Sequence, residues 1–261
     1  MKSGTARRHR AAAPILVTLV LALIGGIYAA VNATTASADD AVASQEQIAT
    51  GKKLFEQGCS SCHGMGAVGT KDAPSLVGAG AASVDFQVST GRMPLAQNQA
   101  EAPKKPVAYN DEQIAALAAY IGSLGPGPSI PTAQDLDYTN ADLAFGGQLF
   151  RTNCSQCHNF AGSGGALSNG AYGPNIRSAS AKEIYEAMLT GPENMPVFSN
   201  ASMSPAEKQA VIQYVMHLRT EPSYGGWGLG RFGPVTEGLF VWAGALVLFI
   251  AGAVWIGAKV R

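Results

Sequence analysis

Two five-residue stretches, Cys59-Ser-Ser-Cys62-His63 and Cys154-Ser-Gln-Cys157-His158, hold all four cysteines and two of the four histidines of this chain. Thiols three positions apart, with an imidazole next to the second, fall on one side of a helix end. Three chemistries use such a set. Zinc accepts both donor types, but each stretch alone is one ligand short unless a methionine joins, and 91 residues separate Cys62 from Cys154, far beyond zinc-ribbon spacing. A redox dithiol needs no histidine after its second cysteine and normally sits in a βαβ context, for which there is no pattern here. A porphyrin uses every residue: the thiols add to its two vinyl groups and the imidazole falls under the iron. Covalent haem, one group per stretch, is the chemistry that the spacing favours.

The surrounding sequence repeats as well. Gly51-Lys-Lys-Leu-Phe-Glu-Gln-Gly-Cys59 lies over Gly146-Gly-Gln-Leu-Phe-Arg-Thr-Asn-Cys154 at an offset of 95 residues. Further on, Ala73–Leu76 answers Gly173–Ile176, Thr90–Pro94 answers Thr190–Pro196, and Leu117–Leu124 answers Val211–Leu218, in the same order. The offset drifts between 94 and 102, as short insertions in a shared scaffold would make it. A second iron ligand must come from the opposite side of the haem plane, and Met93 and Met195 are the two of seven methionines followed by proline. They stand 30 and 37 residues beyond His63 and His158, and they align across the repeat. Met203 and His217 are outside rivals in the second unit. His/Met ligation leaves no vacant position on iron, which points to one-electron transfer rather than substrate activation.

Helices must position these residues. Ser44 with Gln47, and Thr139 with Asp142, are candidate caps ahead of helices that run into the two cysteine stretches. Asn110 and Ser204-Pro205-Ala206-Glu207 open two further amphipathic helices, and Ser180 with Glu183 frames a shorter one ending at Gly191. No alternating strand pattern competes, so the fold class is mostly α. The proline- and glycine-rich run from Gly125 to Pro131 is a semi-stiff connector between the units.

Charged residues make up only 14% of the chain although 47% is hydrophobic, because apolar residues gather at the two ends. Ala11–Val31 and Gly238–Ala258 are each 21 residues without a charge, about 30 Å as a helix and enough for a bilayer core. The first has a competing reading as a signal sequence cleaved after Ala38. Six basic residues and no acid flank the spans outside positions 32–237; within those positions 12 basic and 18 acidic residues leave a net −6. Lys and Arg beside a span favour the cytoplasm, so both termini read as inside and the acidic middle as outside. Such a middle has no basic stripe for nucleic acid. Residues 39–124 and 135–221 each carry −3, so by charge neither half stands out as a docking face. The division expected is 1–38 basic terminus and span, 39–124 and 135–221 haem domains, 125–134 linker, 222–237 a Gly/aromatic juxtamembrane segment with Trp227 and Phe232, and 238–261 the closing span.

On these motifs each repeat resembles a class I cytochrome c domain: a helix leading into CxxCH, a proline-containing loop, a Met-Pro segment and a closing helix with an aromatic residue. The resemblance implies haem c held by Cys59, Cys62, His63 and Met93, and by Cys154, Cys157, His158 and Met195, with the carbonyls of Pro74 and Pro174 bracing the histidines. The tandem pair, the Tyr224–Gly238 run and the closing apolar segment together resemble the dihaem cytochrome c subunit of the actinobacterial cytochrome bcc complex, a menaquinol:cytochrome c oxidoreductase. That family implies a cytochrome b subunit and a Rieske iron–sulfur subunit as partners, cytochrome c oxidase in a supercomplex, and a place in the cell membrane among lipid. It implies no acid-base catalytic residues in this chain. A relay serving another dehydrogenase or oxidase carries the same motifs, and a dihaem peroxidase is the enzyme alternative.

Overall fold

The computed structural model describes residues 12–35, 44–97, 99, 101–221 and 234–259, in two compact units, 1–43 and 44–261. In the first unit lies helix α1 (Ala12–Thr35), exposed along Ile15–Gly26. In the second lie α2 (Gln45–Gly58), α3 (Ser60–His63), α4 (Ala81–Ser89) and α5 (Asp111–Ser123), then α6 (Leu143–Asn153), α7 (Ser155–His158), α8 (Ala181–Thr190) and α9 (Pro205–Thr220), and last α10 (Pro234–Lys259).

The expected caps account for the starts of α2, α5, α8 and α9. Ser44 accepts from the Gln47 amide, and Asn110, Ser180 and Ser204 form reciprocal boxes with Gln113, Glu183 and Glu207. Each such cap stabilises its helix by about 1 kcal/mol. Ahead of α6 the cap is Asp142, which takes the Phe145 amide, and not Thr139, whose hydroxyl bonds Asp137 instead. Helix α4 has no side-chain cap; its Ncap is Gly80, at φ 80°.

In each half the helix entering the cysteine stretch crosses the closing helix at a glycine. A Cβ on Gly51 would lie 1.9 Å from the Ala116 carbonyl oxygen, and one on Gly146 would lie 1.9 Å from that of Ala210. Backbones therefore touch where α2 meets α5 and where α6 meets α9. One turn on, Phe55 meets Tyr120 with ring centroids 5.5 Å apart, and Phe150 meets Tyr214 at 5.3 Å, tilted in both cases. Around the first crossing pack Ile114, Leu117, Ile121 and Val88; around the second, Ile184, Val211, Ile212 and Val215. Each buried side chain of this size contributes about 2 kcal/mol by leaving water. A two-residue antiparallel ladder, β1 (Gly165–Ala166) with β2 (Tyr172–Gly173), adds the strand that no periodicity announced. It sits where the repeat offset steps from 95 to 100, so the insertion is this hairpin.

The halves dock through α4 against α8, although their charge totals gave no hint of it. At this contact Asp85 is 5% and Glu186 0% exposed, and neither Glu186 oxygen has a hydrogen-bond donor. The Lys182 ammonium is 2.6 Å from Asp85 and 4.0 Å from Glu186, one cation for two carboxyls. Burial first, then the Asp85 charge, push the Glu186 pKa up to about 9, against the pull of Lys182. The raised pKa favours the protonated carboxylic acid at Glu186, which can donate a hydrogen bond where two carboxylates would only repel. The linker lies against this region, its Pro128 carbonyl accepting the Ala82 amide.

Helix α10 carries the apolar stretch Thr236–Lys259, 24 residues with none of them buried, long enough to cross a bilayer. It begins at Pro234, earlier than the charge-free run, and takes Glu237 into its first turn. Trp227 and Phe232 lie outside the described residues.

Two outcomes are expected. Gly51→Val drives a side chain into the Ala116 carbonyl and costs about 3 kcal/mol, read as a lowered melting temperature of the intact chain. The raised Glu186 pKa means that the docked state binds a proton more tightly than the separated one. Its stabilisation is whole below the ordinary value of 4.5 and is lost as pH climbs through about 9. Amide exchange in α4 and α8, corrected for intrinsic rates, should accelerate over that window, and Glu186→Gln should flatten the dependence.

Candidate functional site

Each cysteine stretch forms where a helix ends and restarts. Cys59 closes α2 through its amide to the Phe55 carbonyl, 2.8 Å, and then serves as Ncap of α3. Cys154 repeats this between α6 and α7, again at 2.8 Å to Phe150. The following turn brings the His63 amide to the Cys59 carbonyl at 3.0 Å and the His158 amide to that of Cys154 at 2.9 Å. Both thiols of each pair thus stand one turn apart beside their histidine. All four are free.

Past each histidine the chain turns back under the ring. Gly69 donates to the His63 carbonyl at 2.7 Å, and Gly164 to that of His158 at 2.9 Å. Leu76 then bonds Ala67, 2.8 Å, as Ile176 bonds Gly162, 3.0 Å. This return places the Pro74 carbonyl 2.9 Å from His63 Nδ1 and the Pro174 carbonyl 2.9 Å from His158 Nδ1. A carbonyl can only accept, so the proton sits on Nδ1 and Nε2 is left as the ligating nitrogen. Burial also lowers the His158 pKa, against the bond to Pro174, and favours the neutral imidazole that a metal needs.

The methionine segments follow short helices of matching design. Thr90 and Thr190 return their hydroxyls to the carbonyls four residues back, at 2.6 and 2.8 Å, and Gly91 and Gly191 then turn the chain at positive φ. Met93, its amide on the Gln87 carbonyl at 2.9 Å, packs against the core that Cys59 also joins. Met195, its amide on Pro192 at 3.0 Å, packs against the core containing Cys154. Of the rivals, Met203 is 4% exposed in that same core, its carbonyl accepting from the Lys208 ammonium. His217 stands half-exposed on α9 with Nε2 3.9 Å from Glu221.

Haem fits these residues better than the other chemistries do. A reactive dithiol needs a lowered thiol pKa. Here burial raises that of Cys59 and pushes that of Cys154 up to about 12, with the neighbouring thiol adding to each shift. Among the described residues no three side chains of His, Cys, Asp and Glu converge on a metal ion. Apolar side chains stand exposed just past both motifs in the chain, Met65 and Val68 after the first and Phe160 after the second. A large planar apolar group would cover surface of this kind.

Comparison with known proteins agrees with this geometry. Residues 48–125 match the family described as cytochrome c, and 141–215 match that of subunit III of cbb3-type cytochrome c oxidase. The chain is 43% identical to the cytochrome bc1 complex cytochrome c subunit of Corynebacterium diphtheriae, over 97% of its own length and 96% of that protein. The chain belongs to that family. Members in Mycobacterium tuberculosis and Mycobacterium leprae are each 42% identical, across 99% and 94% of this chain and 95% and 87% of theirs. The two halves are accordingly cytochrome c domains, which bind haem c covalently, followed by one apolar helix fit to span a membrane.

Sequence reasoning missed Lys105, which bonds the first methionine segment, and Glu193, which lies in the second and accepts the Ala102 amide. Glu193 had a visible signal, since it falls in the two residues by which the second Met-Pro segment exceeds the first.

Proposed function

We propose that the chain is the dihaem cytochrome c subunit of a membrane-bound quinol:cytochrome c reductase, the electron-transfer part of that translocase. It receives electrons from a Rieske iron–sulfur subunit beside cytochrome b and delivers them to a cytochrome c oxidase held in the same supercomplex. The observation that carries this reading is the correspondence to the bc1-complex relatives along nearly the whole chain, with both histidine-braced motifs present.

Two haem c groups are assigned, one to Cys59, Cys62, His63 and Met93, the other to Cys154, Cys157, His158 and Met195. Bound there, haem c supplies a one-electron iron couple. The protein's own part would be to hold each imidazole by its Nδ1 bond, to offer a methionine thioether, and to keep water from the centre with the flanking core. A thioether ligand and burial both favour the reduced state and raise the potential. The Asp85–Glu186–Lys182 contact holds one domain against the other, which supports a fixed relay in place of a diffusing carrier.

In the membrane, α10 is the anchor and α1 the second span, with both basic termini cytoplasmic and the haem domains outside. Cleavage after Ala38 would leave the domains on the same side with one span.

Two results are expected. Met93→Ala and Met195→Ala should each lower the potential of one haem, by on the order of a hundred millivolts within the ~0.8 V that axial ligands span, and leave covalent attachment intact. Potentiometric titration checks this; two unmoved potentials reject the ligands. Purification from membranes in mild detergent should bring down cytochrome b and a Rieske protein, with haem c reduced on adding quinol. Isolation with a different dehydrogenase, or high-spin ferric haem with peroxide turnover, contradicts the assignment.

A further inference from the structure

We propose that Lys105 is a positioning residue for Met93, and that the strap carrying it, residues 101–105, ties the two methionine loops together. The inference rests on the reading of Met93 and Met195 as iron ligands and adds what holds them.

The Lys105 ammonium donates to the carbonyl of Arg92 at 2.9 Å and to that of Pro94 at 2.7 Å, the residues on either side of Met93. Two charge-assisted bonds that bracket one residue fix the Arg92–Met93 peptide before it and the Pro94–Leu95 peptide after it, and so restrict the direction in which its side chain leaves the backbone. A ligand has to be held within about 0.5 Å of its working geometry, which a loop does not achieve without such support. The strap also lies hard on the loop's start, where a Cβ on Gly91 would come within 1.9 Å of the Lys105 carbonyl oxygen. Among the described residues of the second half no lysine bonds the carbonyls beside Met195. There the main chain holds the loop, through Met195 to Pro192 at 3.0 Å and Phe198 to Met188 at 2.7 Å.

The strap's other end grips the second domain at three points. The Ala102 amide donates to Glu193 at 2.6 Å, the Lys104 ammonium to Glu183 at 2.7 Å, and Glu101 accepts the Tyr172 amide at 2.6 Å. Glu193 stands two residues before Met195, at φ 57°, within the insertion that lengthens this loop relative to the first. One short segment therefore reaches from the Glu193 side of Met195 to both carbonyls beside Met93. A lysine that merely fastened a surface loop would have no consequence at the iron.

The test uses the full chain in the complex purified from membranes, reading each haem's potential and the sulfur-to-ferric-iron charge-transfer band. Lys105→Met should lower one potential and weaken the band of that haem, with both haems still attached and the other potential unmoved. Lys105→Arg should restore both signals. Glu193→Ala should shift the first-domain haem in the same direction, although the residue lies in the second domain, and covers the case in which Lys105→Met is not assembled. If Met93→Ala moves a potential while Lys105→Met and Glu193→Ala leave potentials and band as they were, the strap is overturned and the ligation stands. If Met93→Ala itself moves nothing, the ligand reading falls and takes this inference with it.

Discussion

Contact between two helix backbones at a single glycine is the constraint on which both halves are built. Because Gly51 and Gly146 carry no side chain, α2 and α6 settle directly on the carbonyls of Ala116 and Ala210. The aromatic pairs one turn on set the rotation of each helix about that point. With the crossing fixed, the C-terminal ends of α2 and α6 have one position relative to the core, and those ends are where Cys59 and Cys154 begin the CxxCH turn. The same arrangement occurs twice at offsets of 95 and 94 residues, so the repeat conserves the crossing more strictly than the loops, where the offset grows to 102.

From that anchor the two halves diverge in how they satisfy polar groups. Both brace the histidine with a proline carbonyl at 2.9 Å, but the second reaches the proline through a hairpin that the first lacks. The first carries its methionine on a loop gripped by a lysine, the second by its own main chain. Between them lies an interface with two buried carboxyls and one ammonium, an arrangement costly to bury unless a proton is retained. One repeated plan thus rests on different supports in the two halves.

Much of this was legible in the sequence for a physical reason. CxxCH leaves almost no alternative use for its three donor side chains, and Ser and Asn caps with Gln or Glu three residues on are local devices that need no tertiary partner. Apolar runs with no charge are equally local. What escaped depends on partners distant in the chain. Gly51 and Gly146 were visible as matches, but only the facing carbonyl shows why each is glycine. Asp85 and Glu186 look like ordinary surface acids, and a count of −3 per half cannot reveal that one acid from each meets the other out of water. Thr139 looked as good a cap as Asp142 because both precede the same helix, and its bond to Asp137 decided between them. Lys105 stands in a proline-flanked stretch with no periodicity, so nothing local marked it.

The claim that every functional conclusion needs is that a porphyrin is joined through two thioethers to each half. The most direct measurement is the alkaline pyridine spectrum of the purified full-length chain, with haem counted against polypeptide. The account predicts two equivalents per chain, both with the spectrum of haem whose vinyl groups are saturated. A colourless polypeptide, or a mature one with a single equivalent, contradicts it.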